Sequence, residues 1–314
     1  MGTVAIPHPA RHRLTELHRA KQHAAWRHRA RQHVALVVLG LIVIAAILAP
    51  MVAPYDPAAQ LDIVALRNTK PSLAHLLGTD AYSRDILSRV LFGARTSLLV
   101  AFLATIVATI LGSIWGGTAA SVRGGVGTVM MLAVDVMRSV PRLLLFLVVV
   151  ALMGALTPTL LAILLGAAAW PATSRMVFAL VREAESRPYV EAARSTGATR
   201  SRVFVRHVVP HLISPLTASG ALLLADVLAL ESGLSFIGLG VRPPGASWGL
   251  MVQDALPYLG SAWWTAAVPC VCLVVTVLSA AGIADDLRNR TAHGNTFAGT
   301  VTVWLKHARS TPET

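Results

Sequence analysis

The chain has 314 residues, of which 55% are hydrophobic and only 13% charged, and its formal net charge is +12. Soluble globular domains carry about 25% charged residues, so this composition, with a mean hydropathy of +0.64, excludes an ordinary soluble domain and indicates a membrane protein. A pI near 11.1 in a soluble domain would point to nucleic acid, but here the basic residues gather in particular segments and no nucleic-acid partner is expected.

Residues 1–33 form a basic tail with seven Lys/Arg against one acid, Glu16, and six histidines (His8, His12, His18, His23, His28 and His33) around Trp26. The tail is too long and polar for a signal-peptide n-region, and the apolar run after it is too long for an h-region. The first span, Ala35–Ala53 within residues 34–54, therefore reads as an uncleaved anchor. A helix needs about 20 apolar residues to cross a hydrocarbon core, and lipid leaves no partner for an open backbone. Five more runs meet that length: Leu98–Ala120, Met130–Met153, Leu160–Leu180, Leu212–Leu230 and Trp264–Ile283. The expectation is an all-α integral membrane protein with about six spans.

The segment 55–94 after span one carries Pro57 and Pro71 as breakers and the run LGTDAYSRDILSRVLFGARTSL. Span three contains DVMRSVP, where Pro141 is expected to kink or open the helix. Asp135 and Arg138 in that span, and Asp226 and Glu231 in span five, are costly in hydrocarbon and mark a bundle interior or a water-filled path. Asp135 and Arg138, three apart, could neutralise each other; Asp226 has no partner in its own helix, which favours a pathway or interface role.

Between spans four and five the chain turns polar: EAARSTGATRSRVFVRHVVP, Glu191–Pro210. Residues 181–211 hold six arginines against Glu183, Glu185 and Glu191. Ser186 can cap a helix with Pro188 in its first turn, giving a helix over Arg187–Thr196. Glu191 and two small residues, Ala192 and Ala193, lie on it. Gly197 stops it in left-handed geometry, and Thr199 or Ser201 can cap a second short helix. After span five, ESGLSFIGLGVRPPGASWG is too rich in Gly and Pro to stay helical and must turn along the surface or line a cavity. That loop, about 233–262, has Arg242 as its one cation, whereas the N-terminus and 181–211 are basic. Basic segments stay cytoplasmic, so both termini and the 181–211 loop are expected there and 55–94 outside. The tail 286–314 is polar and expected to be loose.

Several chemistries are weighed and set aside. The lysines are Lys21, Lys70 and Lys306 and none follows a glycine, so the chain has no GxxxxGK[ST] phosphate loop. Gly233-Leu234-Ser235-Phe236-Ile237 approaches a GxSxG nucleophile elbow, but Ile237 replaces the last glycine and no histidine lies within a span. A serine without a base is a weak nucleophile, which leaves a membrane-embedded hydrolase as a distant alternative. His207 and His211 are four apart, but Pro210 intervenes and HExxH is absent. A histidine-rich tail can bind metal as a tract, yet it equally suits a solvated arm against lipid headgroups. No metal site is expected. Cys270 and Cys272, two apart, read as buried thiols and form neither a CxxC nor a disulfide framework.

EAA, then glycine four residues on, then HVVP, resembles the EAA loop of ABC importer membrane subunits. LGTDAYSRDILSRVLFGARTSL and LSFIGLGVRPPGASWGLM resemble two further segments of one branch, the C-type permease subunit of dipeptide, oligopeptide and nickel importers. The likeness covers roughly residues 35–290. It implies a type I ABC importer permease fold, with a permease core over 95–285 and a cytoplasmic coupling loop over 186–210. Glu191, Ala192, Ala193, Gly197, Thr199 and Pro210 would dock on the ATP-hydrolysing partner. Gly78, Asp80, Arg84, Asp85, Ser235, Gly238, Gly240 and Trp248 belong to the extracytoplasmic motifs. The implied partners are a B-type permease, two ATP-binding subunits or domains, an extracytoplasmic solute-binding protein and membrane lipid. ATP and Mg would be held by the ATPases and no cofactor by this chain. Substrate would be a short peptide, with nickel or a metallophore as the alternative. The sequence departs from the family pattern at Ser83, usually glycine, at His211, commonly asparagine, and at Gly245-Ala246, usually richer in proline.

Overall fold

The computed structural model describes residues 32–122, 124–154 and 156–308; the basic tail and its six histidines lie outside the described residues, except His33. The elements in order are α1 (Gln32–Val52), α2 (Ile86–Ser121), α3 (Gly125–Ser139), α4 (Arg142–Met153), α5 (Pro158–Glu185), α6 (Pro188–Ser195), α7 (Arg200–Val203), a π turn (Phe204–Val208), α8 (Val209–Phe236), α9 (Trp248–Ala255), a 3-10 turn (Leu256–Tyr258) and α10 (Trp264–Ala308). Among the described residues the β content is one isolated bridge between Thr79 and Asp85.

Five helices, α1, α2, α5, α8 and α10, are long and apolar enough to cross a bilayer. The third expected span differs: it is two pieces, α3 of 15 residues and α4 of 12. Val140 and Pro141 are extended between them, with ψ near 124° and 121°. Proline has no N–H to donate and pushes the preceding residue out of helical geometry, so one span becomes a broken pair. Two other boundaries move. Helix α2 starts at Ile86, twelve residues before the expected Leu98 and inside the segment assigned to 55–94, because Asp85 caps it by accepting from Ser88 N at 2.8 Å. Helix α10 continues to Ala308, so the backbone over 287–308 is helical where an irregular tail was expected.

Helices α2 and α5 form the centre of the bundle. On α2, Ala104, Ala108, Gly112 and Gly116 recur every four residues, which places them on one face, and the two alanines are fully buried. A Cβ on Gly112 would stand 2.6 Å from Thr173 Cβ, and one on Gly116 would land on the Ser174 carbonyl oxygen. A Cβ on Gly166 of α5 would stand 2.6 Å from the Ala104 carbonyl oxygen. Small residues allow this approach, and in lipid such contact replaces the hydrophobic drive that tails cannot supply. Around the pair, Ile86, Val100, Leu161, Leu165, Leu228 and Leu234 form the buried core with Phe146 and Trp248. Cys270 and Cys272 are unbridged and only partly buried.

Helix α8 has 28 residues, about 42 Å at 1.5 Å per residue. Its N-terminal foot carries α6 and α7, and its C-terminal end packs against α9, which in turn holds segment 54–85 through Asp254. The two groups of motifs thus sit at opposite ends of the bundle.

Candidate functional site

At the first end, α6 follows α5 after a two-residue break. The Ser186 hydroxyl donates to the Glu183 carbonyl oxygen at 2.8 Å, so Ser186 closes α5 instead of capping the next helix as expected. Arg187 Nη2 pairs with Glu183 Oε1 at 2.8 Å and braces the junction. Helix α6 runs Pro188–Ser195, one residue shorter at each end than expected. Val190 is its buried anchor, while Glu191 and Ala192 are exposed and Ala193 half-exposed. Gly197 has φ +82°, the left-handed geometry that only glycine adopts without cost. The turn is closed by Thr196 N to Ala192 O at 3.1 Å and Ala198 N to Ala193 O at 3.2 Å. Thr199 then precedes α7, its carbonyl accepting from Val203 N at 3.0 Å. The π turn carries the chain into α8, where Pro210 stands in the first turn. The result is a polar two-helix knob with an exposed acid and small residues. The side chain of His207 lies outside the described residues.

At the other end, segment 54–85 is held to α2 and α9 by a charge cluster. Asp80 accepts from the Tyr82 and Arg84 amides at 2.8 and 2.9 Å and from Arg84 Nε at 2.7 Å. Arg84 Nη2 reaches Asp254 of α9 at 2.8 Å. Arg89, 1% exposed, lies 3.6 Å from both Asp80 and Asp254 and donates to the Pro57 carbonyl oxygen at 3.2 Å. Two guanidiniums and two carboxylates therefore neutralise one another across 170 residues of sequence. Asp85 accepts from Ser88 and lies 3.0 Å from His75 Nδ1, and the His75 ring stacks on Tyr55 with centroids 4.8 Å apart. Gly78 has φ +79° and a Cβ there would strike the Thr69 carbonyl oxygen. Nearby, the amides of Ala65 and Val64 hold the Asp62 carboxyl below the usual carboxylate range. Ser83, where the resembled family usually has glycine, has φ +60°, which explains that preference; here its hydroxyl donates to the Asp62 carbonyl oxygen at 2.7 Å.

The loop after α8 packs beside this cluster. Trp248, 1% exposed, donates from Nε1 to the Val90 carbonyl oxygen at 3.1 Å. Glu231 is fully buried and accepts from the Ser235 hydroxyl at 2.8 Å and the Ser232 hydroxyl at 3.3 Å. Ser235 in turn accepts from Val241 N at 3.3 Å. Its hydroxyl is thus committed to tying the loop to α8, which removes it as a nucleophile. Gly240 permits this, because a Cβ there would overlap Ser235, and Gly238 turns the chain with φ +83°. Glu231 thus organises the loop from the bundle interior, one of the two settings expected for it.

Two further acidic residues pair between helices. Asp135 is bound to Arg175 of α5, which overturns an Asp135–Arg138 pair; Arg138 is exposed and makes no ion pair among the described residues. Asp226 is 2.9 Å from Arg142 of α4. Arg89, Arg142, Arg175, His75 and Asp254 were not singled out from sequence. Their one visible signal was a polar residue near or within an apolar run. Asp254, Arg142 and Arg175 have partners far away in the chain, whereas His75 and Arg89 meet Asp85 and Asp80 close by.

A polar knob at one end, a stapled loop layer at the other and long apolar helices between them define a multi-span membrane protein. A protein-family model described as "Binding-protein-dependent transport system inner membrane component" matches residues 108–293, and one described as "N-terminal TM domain of oligopeptide transport permease C" matches residues 25–71. The chain belongs to this family of ABC transporter permeases. It is 36% identical over 261 residues to the di/tripeptide transport system permease protein DppC of Pseudomonas aeruginosa, covering 81% of this chain and 85% of that one. It is 37% identical over 260 residues to the dipeptide transport system permease protein DppC of Escherichia coli, covering 81% and 86%. Among solved structures, an inward-facing MetNI methionine ABC transporter matches with a TM-score of 0.54 at 18% identity, over 65% of this chain and 95% of that one. That likeness shows a shared fold.

Proposed function

We propose that this chain is the membrane-spanning subunit of an ATP-driven importer of short peptides, forming half of the pathway beside a related B-type permease. The carrying observation is the 36–37% identity to two di- and tripeptide permeases across 81% of the chain. With no phosphate-binding lysine loop of its own, the chain draws force from two ATPase subunits through the knob at Glu191–Thr199. An extracytoplasmic binding protein delivers peptide to the opposite end. ATP and Mg are bound by the motor.

The test is growth of a deletion strain on a dipeptide as sole source of a required amino acid, compared with its nickel-dependent enzyme activity. Loss of growth on peptide supports the reading; loss of the nickel phenotype alone overturns it.

Orientation follows from the basic 181–211 segment, with both termini cytoplasmic. Single cysteines at Ala74 and Arg242, both exposed, are expected to react with an impermeant thiol reagent in intact cells. One at Arg202, also exposed, is expected to react only after permeabilisation. Labelling at Arg202 in intact cells reverses the topology.

In the outer cluster, Asp254→Asn leaves two buried guanidiniums facing one full carboxylate. The amide oxygen still accepts a hydrogen bond, so a loss of about 2 kcal/mol is expected, below that of deleting a buried partner outright. Thermal unfolding of the purified complex reads it, and an unchanged midpoint means that the cluster contributes nothing.

A further inference from the structure

Two ion pairs, Asp135–Arg175 and Arg142–Asp226, serve neither the coupling knob nor the outer cluster, and the second of them lines a cavity. Arg142 is the first residue of α4, placed there by the break at Pro141. Asp226 lies inside α8, well before its end at Phe236. Their atoms approach to 2.9 Å, yet their side chains remain 40% and 56% exposed. Both line an open cavity of about 520 Å³, together with Thr173, Ser219, Leu223 and Ala229. That volume falls in the range of about 300–1,000 Å³ typical of small-molecule sites.

An ion pair that merely fastens two membrane helices gains from being enclosed between them, because exposure to hydrocarbon is costly. This pair is instead turned into an open cavity that has the Thr173 and Ser219 hydroxyl groups on its otherwise largely apolar wall. A cation and an anion side by side in such a place match one chemical class of ligand, a small zwitterion.

We propose that Arg142 and Asp226 form a charge subsite of the translocation pathway that takes the ionised termini of a short peptide. The Arg142 guanidinium meets the peptide carboxylate and the Asp226 carboxylate meets its ammonium group. This rests on the peptide reading above. In the empty pathway the two side chains neutralise each other. When a zwitterion arrives, each exchanges its partner for one of the same charge, so no bare ion is created at any stage. The exchange replaces one salt bridge by two at the cost of opening the first, which keeps retention weak. Weak retention suits a path that must release what it binds.

The test uses the complete transporter reconstituted in liposomes, with Cys270→Ala and Cys272→Ala as background and Ser219→Cys as a reporter in the cavity wall. The probes are alanyl-alanine and its capped form, N-acetyl-alanyl-alanine amide, which lacks both charges. Free alanyl-alanine is expected to slow modification of the reporter by a small thiol reagent several-fold, and the capped form is expected to leave it unchanged. Arg142→Gln combined with Asp226→Asn is expected to abolish that protection while the partner subunits still co-purify. Equal protection by the capped peptide, or protection that survives the double variant, overturns the subsite. Loss of the partner permease from the double variant also overturns it, by making the pair a subunit contact. Uptake of labelled alanyl-alanine is measured in parallel. Uptake without protection sinks the subsite alone, whereas absence of uptake sinks the peptide reading itself.

Discussion

Gly197→Val is expected to abolish coupled transport while leaving the permease inserted in the membrane. Gly197 has φ +82° and nothing within 4 Å of where a Cβ would be, so no neighbour objects to a side chain. The whole cost lies in the backbone. A β-branched residue in this region is strained by about 1–3 kcal/mol, and each 1.4 kcal/mol depopulates the turn about tenfold. The bonds that close the turn, from Thr196 N to Ala192 O and from Ala198 N to Ala193 O, would be released, and α6 would swing relative to α7. The insertion machinery reads only the apolar helices on either side, so the protein should still reach the membrane. Gly197→Asn is the control, because asparagine tolerates left-handed geometry and should retain most activity. Glu191→Ala removes an exposed carboxylate from the same knob and is also expected to abolish transport, without altering the turn. Co-purification of the ATPase subunits, measured beside uptake for each variant, separates the two effects. Full ATPase binding and full uptake with valine at position 197 would show that the knob is not where force enters.

The knob was legible in the sequence because everything that shapes it is local. A proline start, a run of helix formers, a glycine stop and a new start at Thr199 lie within a dozen residues, and each acts on the backbone beside it. The existence of the spans was legible for a similar reason, since apolar length alone decides them. Even the broken third span announced itself through Pro141, although the sequence pattern left open whether the helix would bend or part. Pairing was not legible. Asp135 was set beside Arg138 because they are three residues apart, yet Arg175 on another helix takes its place. Asp226 lacked a partner in its own helix and found one at Arg142, 84 residues away. Asp80 and Arg84 were marked by their motif, but the carboxylate that completes their cluster, Asp254, sits on the far side of the sequence. Ser186 shows the ambiguity of capping residues: the same serine between two helices can start one or finish the other, and here its hydroxyl bonds back to the Glu183 carbonyl oxygen of α5. Glu231 was expected in a bundle interior or along a water-filled path. It is buried and accepts from Ser232 and Ser235 of its own helix, contacts that a sequence pattern does not reveal.

Gly116→Val is expected to remove most of the folded permease from the membrane. The reason lies in how closely α2 approaches α5. At Gly116 a Cβ would fall on the Ser174 carbonyl oxygen, 3.0 Å from the Ser174 carbonyl carbon and 3.1 Å from Phe178 N. All three atoms belong to helix backbone, so no side chain can rotate away, and the helices themselves must move apart. Separation at this point loosens the contacts at Gly112 and Gly166 along the same seam, where a Cβ would stand 2.6 Å from Thr173 Cβ and from the Ala104 carbonyl oxygen respectively. In water, burying the added apolar group would offset part of this; in lipid there is little such gain, and association rests on packing. Overpacking a tight core costs about 1–3 kcal/mol and occasionally more, and a clash against fixed backbone belongs at the upper end, about 3 kcal/mol. Gly117 provides the internal comparison. It lies one residue further along the same helix, where a Cβ meets only Phe204 Cζ at 3.8 Å, so Gly117→Ala should be tolerated and can gain the helix preference of alanine. The measurement is the yield of monodisperse complex from membranes and its thermal midpoint. Wild-type yield and midpoint for Gly116→Val would mean that α2 and α5 are not held together by this seam.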